Sequence, residues 1–169
     1  MKNIVLYLDH DGVVNIYQSQ CFRDLEKTFV RSLDEPDKDY KVRWSPTLIR
    51  ELNNFDIEIV WLSSWKKSGP VVLDPLYGLN SNGFLDWEYR KGDYFDAGKY
   101  RALQEDQARN PRPFIWADDV ATRNFKSSVW RKNLGREDFL ILQTSERFGL
   151  NIRHLDKMDE FIKKVDSGS

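Results

Sequence analysis

Apolar residues gather along the chain in four short runs: "IVLYL" at 4–8, "IEIVWL" at 57–62, "PFIWA" at 113–117 and "DFLILQ" at 138–143. Each is rich in Ile, Val, Leu, Phe or Trp, the pattern of a strand buried on both faces. Helical patterns lie between them. "SPTLIRELNNF" (45–55) offers Ser45 as an N-cap, Pro46 at the first helical position, and Leu48, Ile49 and Leu52 on one face. "AGKYRALQEDQARN" (97–110) holds good helix formers and stops before Pro111. "TRNFKSSVWRKN" (122–133) is a less regular helical segment. "DKMDEFIKKV" (156–165) carries a stripe of Met158, Phe161, Ile162 and Val165 behind Asp156 as cap. Strand and helix in alternation predict a three-layer, Rossmann-like α/β fold with a central, mostly parallel sheet. The rhythm breaks twice. Residues 15–44 include the charged piece "RSLDEPDKDYK", and residues 66–96 read as loop, punctuated by Gly69-Pro70, Asp74-Pro75, Asn82-Gly83 and Gly92. Long connections in a compact domain carry function or are mobile.

Composition narrows the classes. The 169 residues suit one domain spanning 1–169. The 26 basic and 27 acidic residues leave a formal charge of −1, so no global basic field argues for nucleic acid, although a local patch could. Aromatics make up 14% of the chain, with six Trp, and most are expected in the core. The lone Cys21 excludes an internal disulfide and a Cys-based metal cluster. No apolar run approaches the ~18 residues that span a bilayer. No secretory leader is visible, and a cytoplasmic location is expected.

In an open parallel sheet, ligands bind beyond the carboxyl ends of the strands. The first run ends in Asp9, Asp11 and Gly12, the second in Ser63 and Ser64, the third in Asp118 and Asp119. Four carboxylates in one crevice repel one another unless a cation neutralises them, and oxygen donors suit a hard one such as Mg²⁺. Asp9 and Asp11, at i and i+2, share a side of an extended chain, and Gly12 permits a turn there. One carboxylate could attack phosphorus, and the other could move a proton. Taken alone, Asp-x-Asp-Gly after a strand is as readily a turn held by capping aspartates.

The blocks "LYLDHDGVV", "IVWLSSW", "KYRALQ" and "FIWADD" occur in the order and spacing of the haloacid dehalogenase superfamily of phosphotransferases, which the chain resembles from residue 4 to about 145. "LDHDGVVN", "WLSSW", "FIWADD" and "GLNIRHLDKMDEFI" look closest to the small domain of this type in multi-domain RNA-repair proteins and its stand-alone viral and bacterial relatives. The resemblance implies that Asp9 is the nucleophile that becomes aspartyl-phosphate. Asp11 would be general acid and base and lend its backbone carbonyl to Mg²⁺. Ser63 would bind a phosphoryl oxygen, and Lys99 would neutralise charge on Asp9 and the phosphate. Asp9, Asp118 and Asp119 would complete the metal site. Ser64 competes with Ser63, and Lys91 with Lys99. Many superfamily members carry Gly before the acidic pair and a later Asp; here Ala117 precedes Asp118, and Arg123 or Asn124 stands downstream. His10 should point away from the pocket, and His154 reads as structural or surface.

The implied reaction is Mg²⁺-dependent phosphomonoester hydrolysis. Both insertions are too short for an independent cap domain, so an open crevice is expected, suited to a bulky substrate such as RNA or DNA ends. Trp65, Lys66, Lys67, Trp87, Tyr89, Arg90, Lys91 and Tyr94 could stack bases and hold a backbone, or pack the loop on the sheet. The alternatives are a nucleotide or small-metabolite phosphatase and a non-catalytic binding module of the same fold.

Overall fold

A computed structural model describes residues 4–18, 21–93, 97–120, 125, 128–135 and 138–168. All four apolar runs form strands of one parallel sheet: β1 (Val5–Leu8), β4 (Glu58–Trp61), β5 (Phe114–Asp118) and β6 (Phe139–Gln143), in the order β4-β1-β5-β6. Leu8 pairs with Trp61 on one side and Ala117 on the other. The chain leaves β1 for β4 on one edge and returns to β5 on the other, so the switch of direction falls beside β1. Crevices form at such points.

Alternate residues of each strand feed two cores. Leu6, Leu8, Ile59, Trp61, Ile115 and Ala117 face one; Val5, Tyr7, Val60, Phe114 and Trp116 face the other. Burial on both faces explains the unbroken apolar runs. Helix α1 (Pro46–Asn54) covers the first face with Leu48, Ile49 and Leu52, and Ser45 caps it by accepting from the Leu48 N–H. Helix α3 (Ala97–Arg109) covers the second with Ala102 and Leu103. The last helix, α5 (Ile152–Ser167), returns to the first face with Leu155, Met158 and Phe161.

Three expectations need correction. Residues 15–44 hold an antiparallel hairpin, β2 (Glu26–Arg31) with β3 (Asp39–Trp44). Residues 66–96 are not all loop: Gly69–Leu73 form a π-helical turn that runs into α2 (Asp74–Tyr77). Pro70 and Pro75 sit in first turns, where proline fits a helix as well as it marks a loop. A side chain at Gly69 would collide with the Trp61 ring, 2.7 Å from the position of an added Cβ. Helix α5 begins four residues before the expected Asp156, because Asn151 and His154 form a reciprocal capping box. Of the expected helix at 122–133, α4 (Val129–Asn133) is described, with Ser128 as its cap. Residues 122–124, 126 and 127 lie outside the described residues, as does Tyr94.

Candidate active site

The site grows out of the end of β1. The Asp9 N–H continues the ladder to the Ala117 carbonyl, at 3.0 Å, and the chain then coils sharply. The amides of Val13, Val14 and Asn15 all donate to the His10 carbonyl. Gly12 takes φ +69°, and an added Cβ there would lie 2.7 Å from Asp119 Oδ2. Glycine is therefore required twice over, by conformation and by space.

Asp9 is 5% exposed, and both its oxygens are engaged. The His10 N–H donates to Oδ1 at 2.8 Å, and Lys99 Nζ donates to Oδ2 at 2.6 Å. Lys99 also donates to Asp118 Oδ2 at 2.8 Å. Lys99, not Lys91, thus meets the carboxylates; Lys91 is exposed. Asp118 is fully buried at the end of β5, and its Oδ1 accepts from the Val120 N–H. Oxygens of Asp9, Asp118 and Asp119 lie within 4.8 Å of one another.

The charges in this cluster do not balance. Burial pushes the Asp9 carboxyl up to about 7; Lys99 pulls it down, and Asp118 pushes it further up. Asp119 is likewise raised, by burial and then by Asp118. For Lys99, burial opposes the charge, but Asp9 and Asp118 outweigh it and hold the ammonium cationic. Three carboxylates face one ammonium. All the donors offered are oxygens, which fits a hard divalent cation. Among the described residues this is the one group of three or more Asp, Glu, His or Cys side chains close enough to share a metal.

The side chain of Asp11 does not join the cluster. Asn15 Nδ2 donates to its Oδ1 at 2.8 Å and Trp65 Nε1 to its Oδ2 at 3.1 Å. The His10 Nδ1 lies 3.2 Å from Oδ1 without a hydrogen bond. Burial opposes ionisation of Asp11, but His10, Asn15 and Trp65 together hold its carboxyl well below the usual carboxylate range. His10 is buried, as expected. Its Nε2 lies 2.7 Å from the Tyr77 hydroxyl, and its ring stacks on Tyr77 and meets Trp65 edge-on. His154 serves the α5 cap.

A cavity of about 270 Å³ opens over the carboxylates, lined by Asp9, Asp11, Ser64, Trp87, Lys99, Asp119, Val120 and Glu146. Ser64 is exposed to it. Ser63 is fully buried, its Oγ accepting from the Trp65 N–H at 3.3 Å. Glu146, on the loop after β6, is a further carboxylate that the strand-end motifs did not include. No periodicity marks it, and it arrives only because that loop packs on Gly12, with Glu146 Cα 2.9 Å from an added Cβ there.

The expected stacking surface is corrected. Trp65 and Trp87 are each 6% exposed. Trp65 packs on His10 and Tyr40 and spends its N–H on Asp11. Trp87 donates to the Ser63 carbonyl at 3.1 Å and packs on Gly98. Large rings gain more from burial than from water, provided the indole N–H finds an acceptor. Lys66 pairs with Asp86 at 3.3 Å beside the Trp87 ring. Lys67, Tyr89 and Arg90 are exposed.

No family model matches the chain, and no curated protein or solved structure matches it.

Proposed function

We propose that the protein is a phosphomonoester hydrolase of the haloacid dehalogenase type, working through a phosphoryl group carried on Asp9. The observation that carries this reading is the buried Asp9–Lys99–Asp118 set at the sheet's switch point, with Asp119 beside it. Asp9, Asp118 and Asp119 would hold a divalent cation, Mg²⁺ by the hardness of the donors. When bound, such an ion supplies positive charge for the non-bridging phosphoryl oxygens.

The chain's own groups account for the rest. The His10 amide and the Lys99 ammonium fix the two Asp9 oxygens, so the attacking carboxylate is oriented before substrate arrives. Lys99 adds a fixed cation at the reacting centre, where negative charge develops in phosphoryl transfer. Asp11 rests ionised, which suits a base that takes a proton from the water attacking the acyl phosphate. To donate a proton to the leaving oxygen it must first release Asn15 and Trp65. Ser64, at the cavity wall, is better placed than the buried Ser63 to touch a phosphoryl oxygen.

An intact set of nucleophile, lysine and metal carboxylates favours turnover over a non-catalytic binding module. The nucleic-acid reading loses its two tryptophans and rests on Tyr89, Arg90, Lys91 and Lys67. The test is phosphate release from p-nitrophenyl phosphate with and without Mg²⁺, followed by acid quench and mass spectrometry. We expect metal-dependent release and a phosphate adduct on the peptide that carries Asp9, both absent in Asp9→Asn. Equal release by a folded Asp9→Asn protein would overturn the mechanism.

A further inference from the structure

A second void adjoins the crevice. It measures about 150 Å³ and is lined by Asp11, Ser32, Glu35, Tyr40, Ser64 and Trp65. Asp11 and Ser64 line both spaces, so the two meet there. The hairpin supplies the outer wall, and it is fixed in place. The Leu33 N–H donates to the buried Ser68 hydroxyl at 2.8 Å, and the Tyr40 ring meets Trp65 edge-on at 5.3 Å. At its base, the Arg43 N–H donates to Asn15 Oδ1 at 2.8 Å, and the Ile16 N–H to the Arg43 carbonyl at 3.0 Å. These bonds tie the hairpin to the same turn that presents Asp11.

We infer that this recess is the leaving-group subsite and that it takes a sugar or polyol bearing no second anionic group. The inference rests on the phosphomonoesterase reading. A group that protonates the leaving oxygen must sit beside it, so a leaving group served by Asp11 has to pass Asp11, and the recess begins there. Its walls carry hydroxyls from Ser32, Ser64 and Tyr40, the Glu35 carboxylate, and the Tyr40 and Trp65 rings. Glu35 accepts from the Tyr40 hydroxyl and lies 3.8 Å from Lys38 Nζ. A carboxylate offers about four acceptor positions, so capacity is left for substrate hydroxyls. The half-buried Tyr40 ring, seated edge-on against the buried Trp65, gives this wall its apolar part.

Charge argues against an anionic leaving group. Asp11 and Glu35 would both repel a second phosphate in the recess. Lys38 does not line the recess; it lies 3.8 Å from Glu35 and over the Tyr40 ring. Beyond Trp87, on the other side of the crevice, a groove is lined by Arg90 and Arg101 together with Asp86, Glu88 and Glu105. Arg101 is bound there by both oxygens of Asp93. Among the described residues that line the two spaces, carboxylates outnumber cations on both sides, unlike the run of cations that a polyanionic strand requires.

The experiment compares kcat/KM for Mg²⁺-dependent phosphate release across pentose and hexose monophosphates, their bisphosphates, a 5′-phosphorylated oligonucleotide and p-nitrophenyl phosphate. Wild type, Glu35→Gln and Glu35→Lys are assayed, with circular dichroism as the fold check. Wild type should prefer a sugar monophosphate to its bisphosphate at least tenfold. Glu35→Lys should bring that ratio near one, mainly through KM, and Glu35→Gln should fall between. A bisphosphate or oligonucleotide used as well as the monophosphate, or a ratio unmoved in Glu35→Lys, overturns the inference. Release from p-nitrophenyl phosphate with none from any sugar phosphate removes the subsite alone. No release from any ester removes the phosphatase reading and the subsite with it.

Discussion

Replacing Asp9 with Asn should make the metal-free protein inactive and more stable at once. The carboxyl is 5% exposed and lifted to about 7, whereas an unburied aspartate titrates near 4. Because the folded-state value is raised, the native state keeps the proton longer than the unfolded chain. Stability from this group is complete below about pH 4 and is lost as pH rises to about 7. At 1.36 kcal/mol per pH unit, the ionised group costs the fold on the order of 4 kcal/mol at pH 8 as a ceiling. Asn, like the protonated carboxyl, carries no charge and removes that cost; the pull of Lys99 is already contained in the raised value. The gain at pH 8 is therefore at most about 4 kcal/mol, a rise in Tm of up to about 8–16 °C at roughly 2–4 °C per kcal/mol for a chain of this length. The assay is thermal unfolding with chelator, at pH 4.5 and pH 8, in both proteins. The gap should be near zero at pH 4.5 and open at pH 8. Added Mg²⁺ should then raise the wild type and close the gap. A less stable Asp9→Asn protein at pH 8 without metal, or a gap that ignores pH, refutes the charge argument.

Lys99→Met leaves Asp9 and Asp118 buried without their shared ammonium, and urea titration at pH 8 should show a loss of about 3–5 kcal/mol. Mg²⁺ should recover part of it; an unchanged midpoint would show that the lysine is not what holds the two acids together. Gly12→Ala and Gly78→Ala form a matched pair, since both glycines have left-handed φ but only Gly12 faces Asp119. Gly78→Ala should cost about 1 kcal/mol from backbone alone, while Gly12→Ala should cost about 1–3 kcal/mol more and weaken calorimetric Mg²⁺ binding. Equal losses would mean that the Asp119 contact gives way freely.

The four strands and the carboxylates at their ends were legible because burial on both faces writes an unbroken apolar run, and a strand end places its next residues in the crevice. The hairpin was not. Neither of its strands is buried on both faces, so neither writes an unbroken apolar run, and the stretch was marked only by the charged piece at 31–41. Ser63 looked better placed than Ser64 from the end of the apolar run, but the turn that follows faces Ser63 inward, where its hydroxyl bonds the Trp65 amide. The destination of Trp65 and Trp87 is decided by partners far along the chain, Asp11 for one and Gly98 for the other, which no local pattern records. Glu146 is hidden for the same reason.

Every nucleophilic, basic and metal-facing residue proposed here falls within the first 119 positions, yet the turn that presents them is pinned by the last loop. The Thr144 hydroxyl donates to the Gly12 carbonyl, the Gln18 amide to Arg147, and the Leu150 amide to Val13. Gly149 lies so close that an added Cβ would stand 2.2 Å from Ile16. During synthesis the carboxylates therefore emerge early but are shaped late. Contacts of such long sequence separation close slowly in folding, so the nascent chain passes through a stage in which β1, β4 and β5 are available while the Asp11 turn still lacks its clamp. Closure of that clamp joins assembly of the site to the arrival of the loop after β6.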